Sequence, residues 1–182
     1  NKGGTEEEKI VRDMAVFSAF GEGLQLFASF VMLLNFQRFG KMKGMGQIVA
    51  WSIRDESHHV ENMIKLTHAV LDEMPHVWND NFKATLYQIC REMVSLEDKF
   101  IDLSFEMGPI EGLTAEEVKQ YIRHIADRRL LQLGLKPNYG VKENPLEWVD
   151  WIVGGLEHTN FFENRSTEYA KGALTGTWDD AF

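Results

Sequence analysis

A single carboxylate, Glu22, sits inside the most apolar stretch of the chain, Val16 to Phe36, which is otherwise broken only by Gly21, Gly23 and isolated polar residues. Burying an unpaired carboxylate costs several kcal/mol, so a helix of this composition must give Glu22 a partner or leave it at an irregularity. The stretch belongs to a longer helix-forming segment, Thr5 to about Arg38, whose apolarity on nearly every face predicts deep burial. Twelve Phe, eight Met and five Trp against four Pro favour long helices with bulky, adaptable packing. The expected class is all-α.

The rest of the chain reads the same way. A break at Gly40 to Gly46 precedes a second helix running to about Glu73, where Met74-Pro75 ends it because proline disfavours helix in the residue before it. A third helix runs from about Asp80 to Met107 and is closed by Gly108-Pro109. Thr114 and Glu117 form a capping box that opens a fourth helix to about Leu133, with Gly134 beyond its end. Past Leu135 the periodicity weakens, and Pro137, Asn144-Pro145 and Gly154-Gly155 punctuate short helical turns. From about Glu168 to Phe182 the apolar density is too low to hold the chain in a core. At 182 residues and 44% hydrophobic content the chain supports one core. Residues 1–167 are therefore read as one helical unit and 168–182 as a flexible tail.

Charge narrows the function classes. With 28 acidic against 19 basic residues and a formal charge of -9, the surface repels nucleic-acid phosphates and anionic membranes. The lone Cys90 cannot form an internal disulfide, and no signal peptide or uninterrupted membrane-length apolar run is evident. These features point to a reducing, cytoplasmic setting.

The run Arg54-Asp55-Glu56-Ser57-His58-His59 lies in the middle of the second helix. Glu56 and His59 stand three apart, project from one face and can share a metal ion. With 18 Glu and six His in the chain, chance supplies roughly one such pair, so helical context has to decide. Glu73 and His76 have the same spacing, but Pro75 between them breaks the helix that the geometry needs. Di-metal carboxylate bundles draw one Glu from each of two helices and a Glu-x-x-His pair from each of two others. Glu22 with Glu56 and His59 is one of each, half of such a site, and its hard oxygens and imidazole suit iron or manganese. Two plainer readings stay open at this point: a solvated helix face for Glu56 and His59, and a hydrogen bond at a kink near Gly21 and Gly23 for Glu22. His58, His68, His124 and His158 lack a partner at ligand spacing and are read as ordinary surface or core histidines.

Several separated motifs carry a resemblance. Phe20-Gly21-Glu22-Gly23-Leu24-Gln25-Leu26-Phe27-Ala28-Ser29-Phe30, followed by Ile53 to His59, resembles the second metal-binding helix pair of class I ribonucleotide reductase small subunits. Tyr121 to Leu131, Asn144-Pro145 with Trp148 and Trp151, and Asn160 to Arg165 with Glu168-Tyr169 resemble the same family in the same order. The resemblance implies a ferritin-like di-metal carboxylate bundle, about half of which lies in this chain. It implies that Glu22, Glu56 and His59 are ligands of a dinuclear centre, Fe/Fe or else Mn/Fe or Mn/Mn. With O2 that centre produces an oxidant, usually a tyrosyl radical, which is passed to the large subunit for deoxyribonucleotide synthesis. Asp55 corresponds to an aspartate beside the site, Glu163 to a glutamate assisting proton movement, and Tyr169 to a tail tyrosine relaying the radical. Thr177 to Phe182 resembles the acidic, aromatic-ended terminus that docks on the large subunit.

The front of the family pattern has no counterpart here. Its first helix pair would bring a carboxylate, a second Glu-x-x-His and normally the radical-bearing tyrosine. The chain is thus expected to be a C-terminal half. An upstream half would supply the other ligands, either from a small subunit encoded in two pieces or from a part lying elsewhere, and assembled small subunits would pair as dimers. Tyr87, Tyr121 and Tyr139 are read as packing or surface residues. Two further functions fit parts of the pattern: a ferritin-like di-iron oxidase and a metal-free regulatory or scaffold subunit. The tail argues against the first, and the three expected ligands argue against the second.

Overall fold

The computed structural model describes residues 4–155. Thr5 opens the first helix, α1 (Glu6–Ala15), through a reciprocal capping box: its hydroxyl accepts the Glu8 amide while its own amide donates to the Glu8 carboxylate. The chain then widens into a π-helical segment, Val16–Glu22, passes a turn at 23–26, and resumes as α2 (Phe27–Arg38). The single helix expected over Thr5 to Arg38 is therefore three consecutive pieces.

α3 (Lys43–Glu73) has 31 residues and is roughly 45 Å long. It starts before the predicted break ends, because Gly46 lies inside it and tucks against α2. A Cβ at Gly46 would meet the Gln37 side chain at 2.2 Å, so the glycine is used for close helix approach and not for a turn. Pro75 ends α3 as expected and opens a single 3-10 turn, Pro75–Val77. α4 (Asp80–Phe105) begins at Asn79, whose side chain accepts the Phe82 amide at 3.0 Å. α5 (Ala115–Gln132) has the predicted capping box between Thr114 and Glu117. It closes with the Gly134 and Leu135 amides donating to the Leu131 and Leu130 carbonyls at 2.9 and 2.8 Å. α6 (Glu147–Gly155) follows.

α2 packs on α3 and α4 on α5, while the π-helical segment touches α3, α4 and α5. Phe20, Leu24, Leu34, Leu86, Ile101, Ile122 and Leu130 are fully buried between them. Among the described residues no sheet forms, and Ile110 and Leu113 make an isolated bridge. The all-α expectation holds. Deep burial of the first segment holds on one side only: Phe20, Leu24, Phe27, Val31 and Leu34 face the core, whereas Phe17 is 62% exposed and Leu26, Leu33 and Phe36 also reach the surface. By length and composition the stretch Glu6–Arg38 could cross a membrane, yet half of its most apolar window is buried among the other helices. That is how a bundle helix packs.

Two polar constructions tie α5 to its surroundings. The buried Asp127 carboxylate accepts the Asn138 and Tyr139 amides at 2.8 and 2.9 Å on one oxygen and the Val141 amide at 3.0 Å on the other. Arg123 donates to both oxygens of Asp98 on α4, at 2.9 and 2.8 Å.

Candidate metal centre

The π-helical segment is what aims Glu22. Its bonds run five residues back, with Gly23 donating to Ser18 at 3.0 Å and Gln25 to Phe20 at 3.3 Å. Each such turn holds an extra residue, which rotates the face that a side chain presents, and such turns recur at functional sites. The Ser18 hydroxyl donates to the Met14 carbonyl at 2.8 Å and approaches that of Ala15 at 3.3 Å, a local bond that loosens the α-helical ladder where the wider turn begins. Phe20 fills the core from the same segment. Glu22, the segment's last residue, is left facing α3.

On α3 the three-residue spacing works as expected, and Glu56 Oε2 lies 3.7 Å from His59 Nδ1. One ligand atom from each of Glu22, Glu56 and His59 falls within 4.8 Å of the others. Two donors on one ion are at most about 4.3 Å apart, so shifts of a few tenths of an ångström close the group around a cation. Two carboxylates facing each other beside an imidazole repel unless protons or a cation intervene. The group is consistent with metal binding. Glu22 and Glu56 are half-buried and the His59 side chain is 64% exposed. Contrary to expectation, Glu22 is not deeply buried: convergence, and not enclosure, singles it out. The irregularity expected near Gly21 and Gly23 takes the form of this π-helical segment and the turn after it, and Glu22 at its end meets Glu56 and His59 of α3.

The remaining sequence candidates separate cleanly. Asp55 precedes Glu56 and is exposed, outside the converging group. Glu163, Tyr169 and the terminal run Thr177 to Phe182 lie outside the described residues. His76, whose spacing from Glu73 the proline spoils, turns away to Glu7, with Nε2 2.6 Å from the carboxylate. His68 Nε2 lies 2.8 Å from the Gln132 carbonyl, and the buried His124 contacts the Val141 carbonyl at 3.2 Å. Tyr87 accepts the Lys136 amide at 2.8 Å, burial pushes the Tyr121 phenol well above its usual range, and that of Tyr139 rises to about 12 for the same reason.

Sequence reading missed two residues near this centre. Arg129 on α5 donates from Nε to the carbonyl of Gly23, next to Glu22, at 2.9 Å. Glu97 on α4 is buried beside the Ala28 amide at the start of α2, which partly offsets the upward push of burial on its pKa. Their signal was present as charges standing in core register. Glu97 follows Leu86, Cys90 and Val94 and precedes Ile101, and Arg129 falls in the stripe of Ile122, Ile125 and Leu133.

Comparison with known proteins identifies the family and the fold. The family model described as "Ribonucleotide reductase, small chain" matches residues 1–145. A relative named "Probable ribonucleoside-diphosphate reductase small subunit 048L", from Invertebrate iridescent virus 3, is 51% identical over 96% of this chain and 46% of its own length. A solved chain from Bacillus halodurans assigned to class I ribonucleotide reductase shares 25% identity at a TM-score of 0.74, covering 80% of this chain and 52% of that one. The ribonucleotide reductase R2 subunit from Clostridium botulinum shares 26% at a TM-score of 0.68, over 76% of this chain and 44% of that one. The chain thus spans about half the length of the relatives it matches. The helical architecture is the ferritin-like bundle of those neighbours, and the chain belongs to the ribonucleotide reductase small chain family.

Proposed function

We propose that this chain is a component of a ribonucleoside-diphosphate reductase small subunit and that Glu22, Glu56 and His59 hold half of a dinuclear metal centre. The observation that carries this reading is the convergence of those three side chains from two helices onto one point. Their oxygens and imidazole suit iron, with Mn/Fe or Mn/Mn as alternatives. When bound, the dinuclear centre supplies O2-dependent oxidising chemistry whose product is handed to the large subunit for deoxyribonucleotide synthesis.

The chain's own residues bind, orient and relay. Glu22 reaches the site from the π-helical segment, and Glu56 with His59 comes from one face of α3. Asp55, beside them, orients the ligand set through a hydrogen bond formed in the assembled protein. Three protein donors leave two ions under-coordinated, so further ligands come from a segment outside these 182 residues, on the same polypeptide or another. That is the sense in which the chain acts as a C-terminal half. Residues 168–182 form a tail whose Trp178, Phe182 and acidic groups dock in a groove of the large subunit, with Tyr169 relaying the radical and Glu163 assisting proton movement. The assembled small subunit pairs as a dimer in the cytoplasm.

The test is to assemble the chain with the segment bearing the other ligands, measure bound metal, and assay ribonucleotide reduction with a large subunit. A dinuclear complement and turnover are expected. Metal without turnover would point to an oxidase instead, and an assembled protein that takes up no metal would remove the reading.

A further inference from the structure

The junction between the π-helical segment and α2 leaves backbone groups that the helices themselves do not pair in the regular way. The Phe27 amide bonds the Leu24 carbonyl at 3.1 Å, which takes the Gly23 carbonyl out of the regular ladder. Arg129 fills the gap: its Nε donates to Gly23 at 2.9 Å while Nη1 is held by Gln132 at 2.9 Å. Its guanidinium lies 5.4 Å from the centre of the Phe27 ring. The approach depends on glycine, because a Cβ at position 23 would sit 2.8 Å from Arg129 Nε. From α4, the buried Glu97 carboxyl lies beside the Ala28 amide, which opposes the upward push of burial on its pKa, and its Oε2 has no hydrogen-bond partner among the described residues.

A buried cation bonded to the carbonyl and a buried carboxyl beside the amide, from two different helices, thus flank the junction that adjoins Glu22. Stability does not explain either one. Desolvating a charge is costly, and apolar side chains of similar volume usually serve a core as well or better. Both residues are only 5% exposed and stand in stripes that are otherwise apolar. What they add is a fixed geometry for the wide turn, which its own hydrogen bonds specify poorly.

We propose that Arg129 and Glu97 are positioning residues for Glu22, holding the Gly23 carbonyl and Ala28 amide so that the Glu22 carboxylate meets Glu56 and His59. The proposal rests on the reading of Glu22 as a metal ligand. The test uses the assembled small subunit and titrates it with Mn(II), following affinity and the Mn(II) electron paramagnetic resonance line shape. Hydrogen exchange of the 23–28 amides and circular dichroism are measured in parallel. Arg129→Met should keep the helical signal, speed exchange at the junction, weaken Mn(II) binding about 10-fold and alter the line shape. Arg129→Lys, which can still reach the carbonyl, should recover most of the affinity. Unchanged affinity and line shape in Arg129→Met would overturn the proposal. If that variant fails to fold, Glu97→Gln and Glu97→Leu ask the same question from α4. Gln can accept the Ala28 amide and should bind like wild type, whereas Leu should bind about 10-fold more weakly, and equal affinities would overturn the proposal. Glu22→Ala is measured alongside. Undiminished Mn(II) binding there removes the ligand reading and the proposal with it, while a loss there with a normal Arg129→Met removes the positioning role alone.

Discussion

Glu56 Oε2 and His59 Nδ1 stand 3.7 Å apart on α3, too far for a hydrogen bond and close enough to share an ion. A pair meant to stabilise the helix would close that gap. This one points both donors at Glu22 instead.

Removing a donor from that group should empty the site. In the assembled small subunit, Glu56→Ala is expected to lose bound metal, read by elemental analysis. On the proposed role of Tyr169 as a radical relay, Tyr169→Phe should keep the metal and stop ribonucleotide reduction. Equal metal content in wild type and Glu56→Ala would count against the site.

Glu97 should make stability depend on pH. Burial, reinforced by Asp98 and opposed by the Ala28 amide, raises its carboxyl from 4.5 to about 7. The folded state therefore holds its proton more tightly than the unfolded chain, so the contribution is fully present below pH 4.5 and is lost as pH rises through 7. Roughly 2–3 kcal/mol should disappear over that window. Denaturant unfolding of wild type and Glu97→Gln at several pH values checks it. The two stability curves should diverge as the pH rises, and parallel curves would contradict the assignment.

Two aspartates should differ sharply in what they contribute. Asp127 is buried and satisfies three backbone amides, so Asp127→Ala leaves orphaned donors and should cost about 3–5 kcal/mol. Asp98 is partly exposed, and water can replace it beside Arg123, so Asp98→Ala should cost about 1 kcal/mol. Urea midpoints at constant slope read both. Similar losses at the two positions would mean that the loop after α5 does not depend on Asp127.

Truncation before Glu168 should separate docking from metal binding. The shortened chain is expected to keep the metal of the assembled small subunit and to lose affinity for the large subunit, measured by sedimentation or calorimetry. Retained affinity would place the dock elsewhere.

Much of this was readable from local chemistry. Caps at Thr114 and Gly134, the stop at Pro75 and the three-residue step from Glu56 to His59 depend only on bonds that neighbouring residues make with one another. Those starts and stops and the shared face of Glu56 and His59 therefore followed from the order of residues, as did the dismissal of Glu73 and His76. What the tertiary structure decided was wherever backbone preference met a neighbour from another helix. Gly46 reads as a break and becomes a contact because Gln37 lies against it. Arg129 and Glu97 stand in core register, but only the packed helices show that they meet a junction more than sixty residues away in sequence. Whether Glu22 points into the bundle or along its side depends on one wide helical turn, whose bonds differ from α-helical ones by a single residue in register. Local propensities barely distinguish those two turns, so packing against α3, α4 and α5 made the choice.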